Sequence, residues 1–278
     1  LRFFGNEAKR QQGKWTREVR SKQREQFIAG LSQDDQVDFR SAGGTGAGAW
    51  LKPTVEGVAD MPDLHFQVLL RRRLRQPVCA AGAVCQHRRA NGTICGACLD
   101  QRGRHAESCA VGHSRNGRHD RMVKWVAAEH HRRTGCTTAT EQFVLAWNQV
   151  NQHTGEVELA KLDVLSYDAV TRNPIYIDVT VASAQSDNAA RQRARADNDG
   201  VAAKQAANGK RVRYPPEKNP AGTLVPLAFE VMGRPAEETV AFFRGWAAAD
   251  EEPSWDGNEN PPIHLAWQQC STLLQLGN

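Results

Sequence analysis

At 278 residues the chain has room for one large domain or two smaller ones. No apolar run reaches the ~20 residues of a membrane helix, and no charged stretch followed by an apolar core opens the chain, so neither a membrane span nor export by a cleaved leader is expected. The net charge is only +5, from 36 Lys and Arg against 31 Asp and Glu, but the basic residues bunch: Arg17, Arg20, Lys22 and Arg24; Arg71, Arg72, Arg73 and Arg75; Arg191, Arg193 and Arg195. Such clusters suit a polyanion, with solvated helix faces as the alternative. Because the first residue is Leu1 rather than Met, the chain is expected to be a piece of a longer polypeptide.

Residues 1–49 are polar and basic and end in SAGGTGAGAW, which reads as a loop or linker. Residues 50–78 read as a helical linker. Its helix, DLHFQVLLRRRLR (63–75), carries Phe66, Leu69, Leu70 and Leu74 at helical spacing, with arginines opposite. Residues 79–113 are poor in large apolar side chains and need a staple to fold. Five of the seven cysteines fall there, beside His87, His105 and His113, whereas Cys136 and Cys270 lie apart and read as buried thiols. An odd number argues against a secreted disulfide framework. The run CGACLDQRGRHAESC spaces Cys95, Cys98, His105 and Cys109 as C-x2-C-x6-H-x3-C, a tetrahedral zinc set with no open position. Metal would supply folding energy there. Cys79, Cys85 and His87 stand as a second set or as alternative ligands.

Next, RHDRMVKWVAAEHHRRTG places Met122, Val123, Val126 and Ala127 on one helical stripe and ends at Gly135, a plausible C-cap. Three strand-like runs follow, TEQFVLAWN, ELAKLDVLSYD and PIYIDVTVAS, the last two joined by a turn at 171–174. The polar, Ala-rich stretch 188–208 reads as a basic helix, GTLVPLAFEVMG as a strand, and RPAEETVAFFRGWAAA as a closing helix. In that helix Pro235 lies near the first turn, Glu237 and Glu238 favour the dipole, and Val240, Phe243 and Trp246 face inward. Residues 250–278 read as an acidic, Pro/Gly-rich tail, loose over 250–262. The order over 114–249, α-β-β-β-α-β-α, defines an α/β domain with a mixed sheet.

Two carboxylates interrupt this apolar pattern. Asp178 sits in IYIDVTV and Asp163 in KLDVL, each costly to bury unless something neutralises it. On adjacent antiparallel strands the pair would repel unless a divalent cation lay between them. Magnesium suits two carboxylates, and a nearby lysine could orient water or stabilise charge on a phosphodiester. The plain alternative is that each Asp bonds only a backbone amide or an arginine.

The succession of a cysteine knuckle, RH before a helix, LDVLSYD, YIDVTV, a basic helix, KRVRY and LVPLAFEVMG resembles the C-terminal region of non-LTR retrotransposon proteins carrying a restriction-like endonuclease. The resemblance covers about residues 50–248. It implies a CCHC zinc knuckle followed by a PD-(D/E)XK-type nuclease. Asp163 then matches the PD aspartate, Asp178 the second acidic Mg2+ ligand, and Lys210 and Tyr214 a Lys and Tyr four residues apart. His119 matches a His at the start of the helix after the knuckle, and Cys95, Cys98, His105 and Cys109 match the structural Zn2+ ligands. Leu162 stands in place of the usual Pro. Thr180 stands where the wider superfamily has its Lys, which in this branch lies in the following helix. Gly209, beside Lys210, weakens a continuous helix, so Lys204 is a rival for the catalytic lysine. The implied activity is target-site nicking of DNA in a nucleus. The implied partners are DNA, element RNA and an upstream reverse transcriptase of the same polyprotein; no YADD element occurs in this chain. The alternative is a catalytically inactive, nucleic-acid-binding remnant.

Overall fold

The structure, a computed structural model, describes residues 2–52, 61–111, 114–168, 170–249 and 263–276. His113 and the stretch 250–262 lie outside them. Helices α1 (Arg2–Ala29), α2 (Gln33–Ser41) and α3 (Asp63–Arg73) come first, and α4 (Arg104–Ser108) follows within the cysteine-rich segment. The order then runs α5 (Ser114–Thr134), β1 (Ala139–Phe143), β2 (Gln149–Val150), β3 (Val157–Glu158), β4 (Lys161–Tyr167) and β5 (Pro174–Ala182). It continues with α6 (Ala189–Asp197), α7 (Val201–Arg213), β6 (Thr223–Glu230), α8 (Glu237–Ala249) and α9 (Ile263–Leu276). Among the described residues no helix is long and apolar enough to cross a membrane.

The chain is mixed α/β around a four-stranded mixed sheet, ordered β1-β4-β5-β6. β1 and β5 both pair antiparallel with β4, and β6 pairs parallel with β5. Strand alternation sends Ile177 and Val179 of β5, with Leu227 and Phe229 of β6, into one core with Met122, Val126, Phe243, Trp246, Cys270 and Leu274. That face is covered by α5, α8 and α9. On the opposite face Ala228 meets Ala203 and Ala207 of α7. Small residues there let α7 approach the sheet closely, which fixes the height of every α7 side chain above β5.

Three expectations change. The segment expected as a linker over 1–49 holds two helices, α1 and α2. The Gly-rich stretch is part of the packed body, with Ala47 and Trp50 buried. At Gly46, φ is +74°, and a Cβ would collide with the Trp267 ring of α9. Only glycine satisfies both conditions, so this loop is the seat of the last helix. The acidic tail likewise ends in α9, whose Cys270 and Leu274 belong to the main core, because its Leu, Ala and Cys residues recur at helical spacing. The single basic helix expected over 188–208 is two helices, separated at Gly200 with φ +73°. Helix α7 runs unbroken through Gly209, at an exposed position costing about 1 kcal/mol. Glu230 offsets that cost by accepting the Ala202 and Ala203 amides at the helix start, at 3.0 and 3.4 Å.

Candidate active site and metal centre

Between Ile177 and Val179, Asp178 points to the α7 side of the sheet and is only 2% exposed. The β4–β5 register pairs Val164 with Ile177, so one step further along the ladder Asp163 lies across from Asp178. The two carboxyls are close enough that each shifts the other's titration. Asp163 Oδ2 also accepts the Val179 amide at 2.7 Å and contacts His119 Nε2, from α5, at 3.1 Å. From α7, Lys210 Nζ lies 2.8 Å from Asp178 Oδ2. The four groups form a row, His119, Asp163, Asp178, Lys210, in which two cations flank two carboxyls.

Their electrostatics follow from burial and neighbours. Burial, joined by the Asp163 charge, pushes Asp178 up to about 7 although Lys210 opposes it. Asp163 goes the other way: burial pushes it up, but the His119 and Asp178 hydrogen bonds outweigh that and hold it below the ordinary carboxylate value. The hydrogen bond to Asp163 lifts His119 to about 9 against its partial burial. Burial pulls the Lys210 ammonium down, yet the Asp178 charge and hydrogen bond prevail and its net shift is upward. One carboxyl therefore holds a proton near neutrality while its neighbour is ionised.

Tyr214 follows α7 and is buried. Its ring lies 5.5 Å from that of Trp147, which stands 5.0 Å from Tyr176. The Trp147 indole donates to the Pro215 carbonyl at 2.8 Å, pinning the end of α7. Burial and the Asp178 charge raise the Tyr214 phenol, so it stays protonated. The rival lysine, Lys204, lines a separate depression with Asp199, Arg234 and Glu238. Lys210 alone of the two reaches the carboxylates.

In the cysteine-rich segment, backbone bonds from Cys85 N to Ala97 O and from Cys95 N to His87 O build a hairpin. Cys85, Cys95, His105 and Cys109 present ligand atoms all within 4.8 Å of one another, a group that can hold a metal ion. Cys85 Sγ is 3.7 Å from Cys109 Sγ, and Cys95 Sγ is 3.4 Å from His105 Nε2. Tetrahedral zinc with Zn–S ~2.3 Å has S···S edges of ~3.8 Å, so the spacing fits zinc. The ligand expected at Cys98 is corrected to Cys85. Cys98 pairs with Val84 across the hairpin and is exposed. Cys95 lies with Cys85 in the group while Cys98 faces solvent. Cys79 contacts the Asp100 carbonyl at 3.1 Å, and neither it nor His87 joins the group.

Several arginines expected to grip nucleic acid are engaged within the fold. Arg72 is buried, and desolvation draws its guanidinium down to about 10. Arg73 donates to the Ala42 carbonyl at 2.7 Å, and Arg75 lies 5.0 Å over the Phe27 ring. Arg195 donates to the carbonyls of Ser183, Ala184 and Gln185 at 3.1, 3.0 and 2.8 Å. These carbonyls converge on one guanidinium nitrogen, Nη1, and share its two N–H groups. Arg71, Arg191 and Arg193 remain exposed, as do Arg17, Arg20 and Lys22 on α1. Sequence reading missed Trp147, Glu230 and the bonding of Arg104 to Asp34 and Asp38, both 2.9 Å, which fastens the cysteine segment to α2. Only tertiary contact brings these groups together, so no local signal announces them.

No protein-family profile matches the chain, and no curated protein does.

Proposed function

We propose that the chain is a Mg2+-dependent DNA endonuclease of the PD-(D/E)XK type, with an adjoining zinc module, that nicks target DNA for a retrotransposon. The observation that carries the reading is the convergence of Asp163, Asp178 and Lys210 on one side of the sheet. The element order α5-β1-β4-β5-α6-α7-β6-α8, with an antiparallel triple and a parallel fourth strand, agrees with it.

The donor set fits magnesium: two adjacent hard carboxylates, one buried and half-neutralised, the other partly open to solvent. When bound there, the ion would activate water and stabilise charge on the scissile phosphate. Asp163 is pre-oriented through Oδ2, which meets both the Val179 amide and His119. Lys210 keeps its proton at neutral pH, so it acts as a fixed positive charge that orients water or stabilises the phosphorane oxygens, not as a base. Tyr214 and Trp147 pack together beyond α7, and the Trp147 bond to Pro215 fixes the end of the helix that carries Lys210. The Cys85, Cys95, His105 and Cys109 group would hold structural zinc, and the exposed arginines would meet phosphates with salt-sensitive affinity. A nuclear location and element RNA as a second partner belong to the same reading.

A second reading has a specific observation in its favour. Both carboxyls already have cationic neighbours, so the site is neutralised without metal, as in a nucleic-acid-binding remnant that has lost its chemistry. Incubation of purified, folded protein with supercoiled plasmid, with and without Mg2+, separates the two. Nicking that requires Mg2+ and disappears in Asp163→Ala and Asp178→Ala supports the nuclease; DNA binding without nicking supports the remnant.

A further inference from the structure

A cleft of about 790 Å3 lies away from the carboxylates, where the end of β5, the start of α6, α2 and the zinc module meet. Its volume suits a small ligand or a single nucleotide. The lining is dominated by hydrogen-bonding groups over a small apolar floor of Ala182 and Val231. Resting on the DNA-nuclease reading above, we infer that this cleft takes one unpaired nucleobase carrying an exocyclic amine, extruded from the strand being cut.

Three observations lead there. First, the cleft does not offer a phosphate site. Arg104 is held by Asp34 and Asp38, Arg195 by three carbonyls, and the carboxylate of Asp187 also lines the space. Three carboxylates against two occupied guanidiniums repel an anion and favour a neutral ligand with N–H donors. Second, the chemistry suits a base edge. Asp187 is exposed and has no hydrogen-bond partner among the described residues, so its oxygens can accept an exocyclic amine, as acidic side chains do from cytosine. Gln185 and Gln192 are locked by bonds to Asp38 Oδ1 (2.6 Å) and Asp34 Oδ1 (2.9 Å), which gives the cleft a fixed polar wall. Third, its position is tied to the catalytic strand. Ala182 follows Asp178 by four residues of β5, about 13 Å at ~3.3 Å per residue. For a DNA strand laid along β5 and rising ~3.4 Å per nucleotide, this corresponds to about four nucleotides from the cleaved bond. Extruding a base from a stack costs a few kcal/mol, which a preformed cleft and adjacent contacts can offset.

The test uses duplexes that each carry one 2-aminopurine, an amine-bearing fluorescent base, stepped through the positions around the nick. Full-length protein is added, and fluorescence, DNA binding and nicking are read together. The expected result is a several-fold rise at one position about four nucleotides from the nick. That rise is lost in Ser183→Trp, which fills the cleft from an exposed position, and reduced in Asp187→Ala. A flat fluorescence profile on DNA that is bound and nicked overturns the cleft assignment while leaving the nuclease standing. A rise that both variants retain overturns it as well. Binding without nicking, but with the position-specific rise, keeps the cleft and removes the nuclease; absence of DNA binding removes both. Bound zinc and circular dichroism check that each variant is folded, and Asp187→Ala suffices should Ser183→Trp fail that check.

Discussion

Lowering the pH from 8 to 6 should weaken Mg2+ binding by a predictable amount. Asp178 holds a proton with a pKa of about 7, set by burial and the Asp163 charge. A metal bound to that carboxylate must displace the proton. The apparent dissociation constant then scales as one plus ten to the power of the pKa minus the pH. Between pH 8 and pH 6 this factor grows about tenfold, about 1.4 kcal/mol, since one pKa unit is worth ~1.36 kcal/mol. Isothermal titration with MgCl2, repeated in buffers of different ionisation enthalpy, reads both the affinity and the proton count. About one proton should leave per ion at pH 6 and about a tenth of one at pH 8. Affinity that ignores pH, with no proton released, would refute the reasoning, because the ion would then bind without engaging Asp178.

Further predictions follow from the same geometry. Because Asp178 titrates higher in the fold than the 3.8 of the free side chain, its contribution to stability is complete below 3.8 and is lost as pH rises through about 7. In Mg2+-free buffer, melting curves of the wild type and Asp178→Asn should therefore diverge in favour of the variant from pH 5.5 to pH 8; parallel curves would contradict this. Cys85→Ser should lose bound zinc on dialysis while Cys98→Ser keeps one zinc per chain, as read by atomic emission; the reverse pattern would restore the C-x2-C assignment. Gly46→Ala should cost about 1–3 kcal/mol in urea unfolding, through the clash with Trp267 and the strained φ; an unchanged midpoint would show that α9 does not depend on that loop.

Much of the architecture was legible because it rests on periodicity. Met122, Val126, Ile177, Val179, Phe243 and Trp246 were marked by spacing alone, and all six fall in one core. Asp163 and Asp178 were legible for the opposite reason, as violations of that spacing. The lysine was ambiguous, since Gly209 argued locally against a helix through Lys210. The Ala203 and Ala207 contacts with the sheet and the Glu230 cap override that local preference. The zinc ligands show the limit most clearly. Sequence spacing favoured Cys98 over Cys85, yet the fold leaves Cys98 exposed and brings Cys85 in from ten residues before Cys95. Likewise the arginine runs were visible as charge, whereas burial of Arg72 and the carbonyl-capping role of Arg195 depend on contacts distant in the chain. The helix α9 was hidden by the acidic composition of the segment before it.

The central claim is that Asp163 and Asp178 jointly ligate one divalent cation. Crystals soaked in Mn2+, with data collected at the manganese absorption edge, test it directly. The account predicts one anomalous peak bonded to both carboxylates, with Lys210 alongside. No peak there at saturating Mn2+, with Lys210 still on Asp178 and His119 still on Asp163, would contradict it.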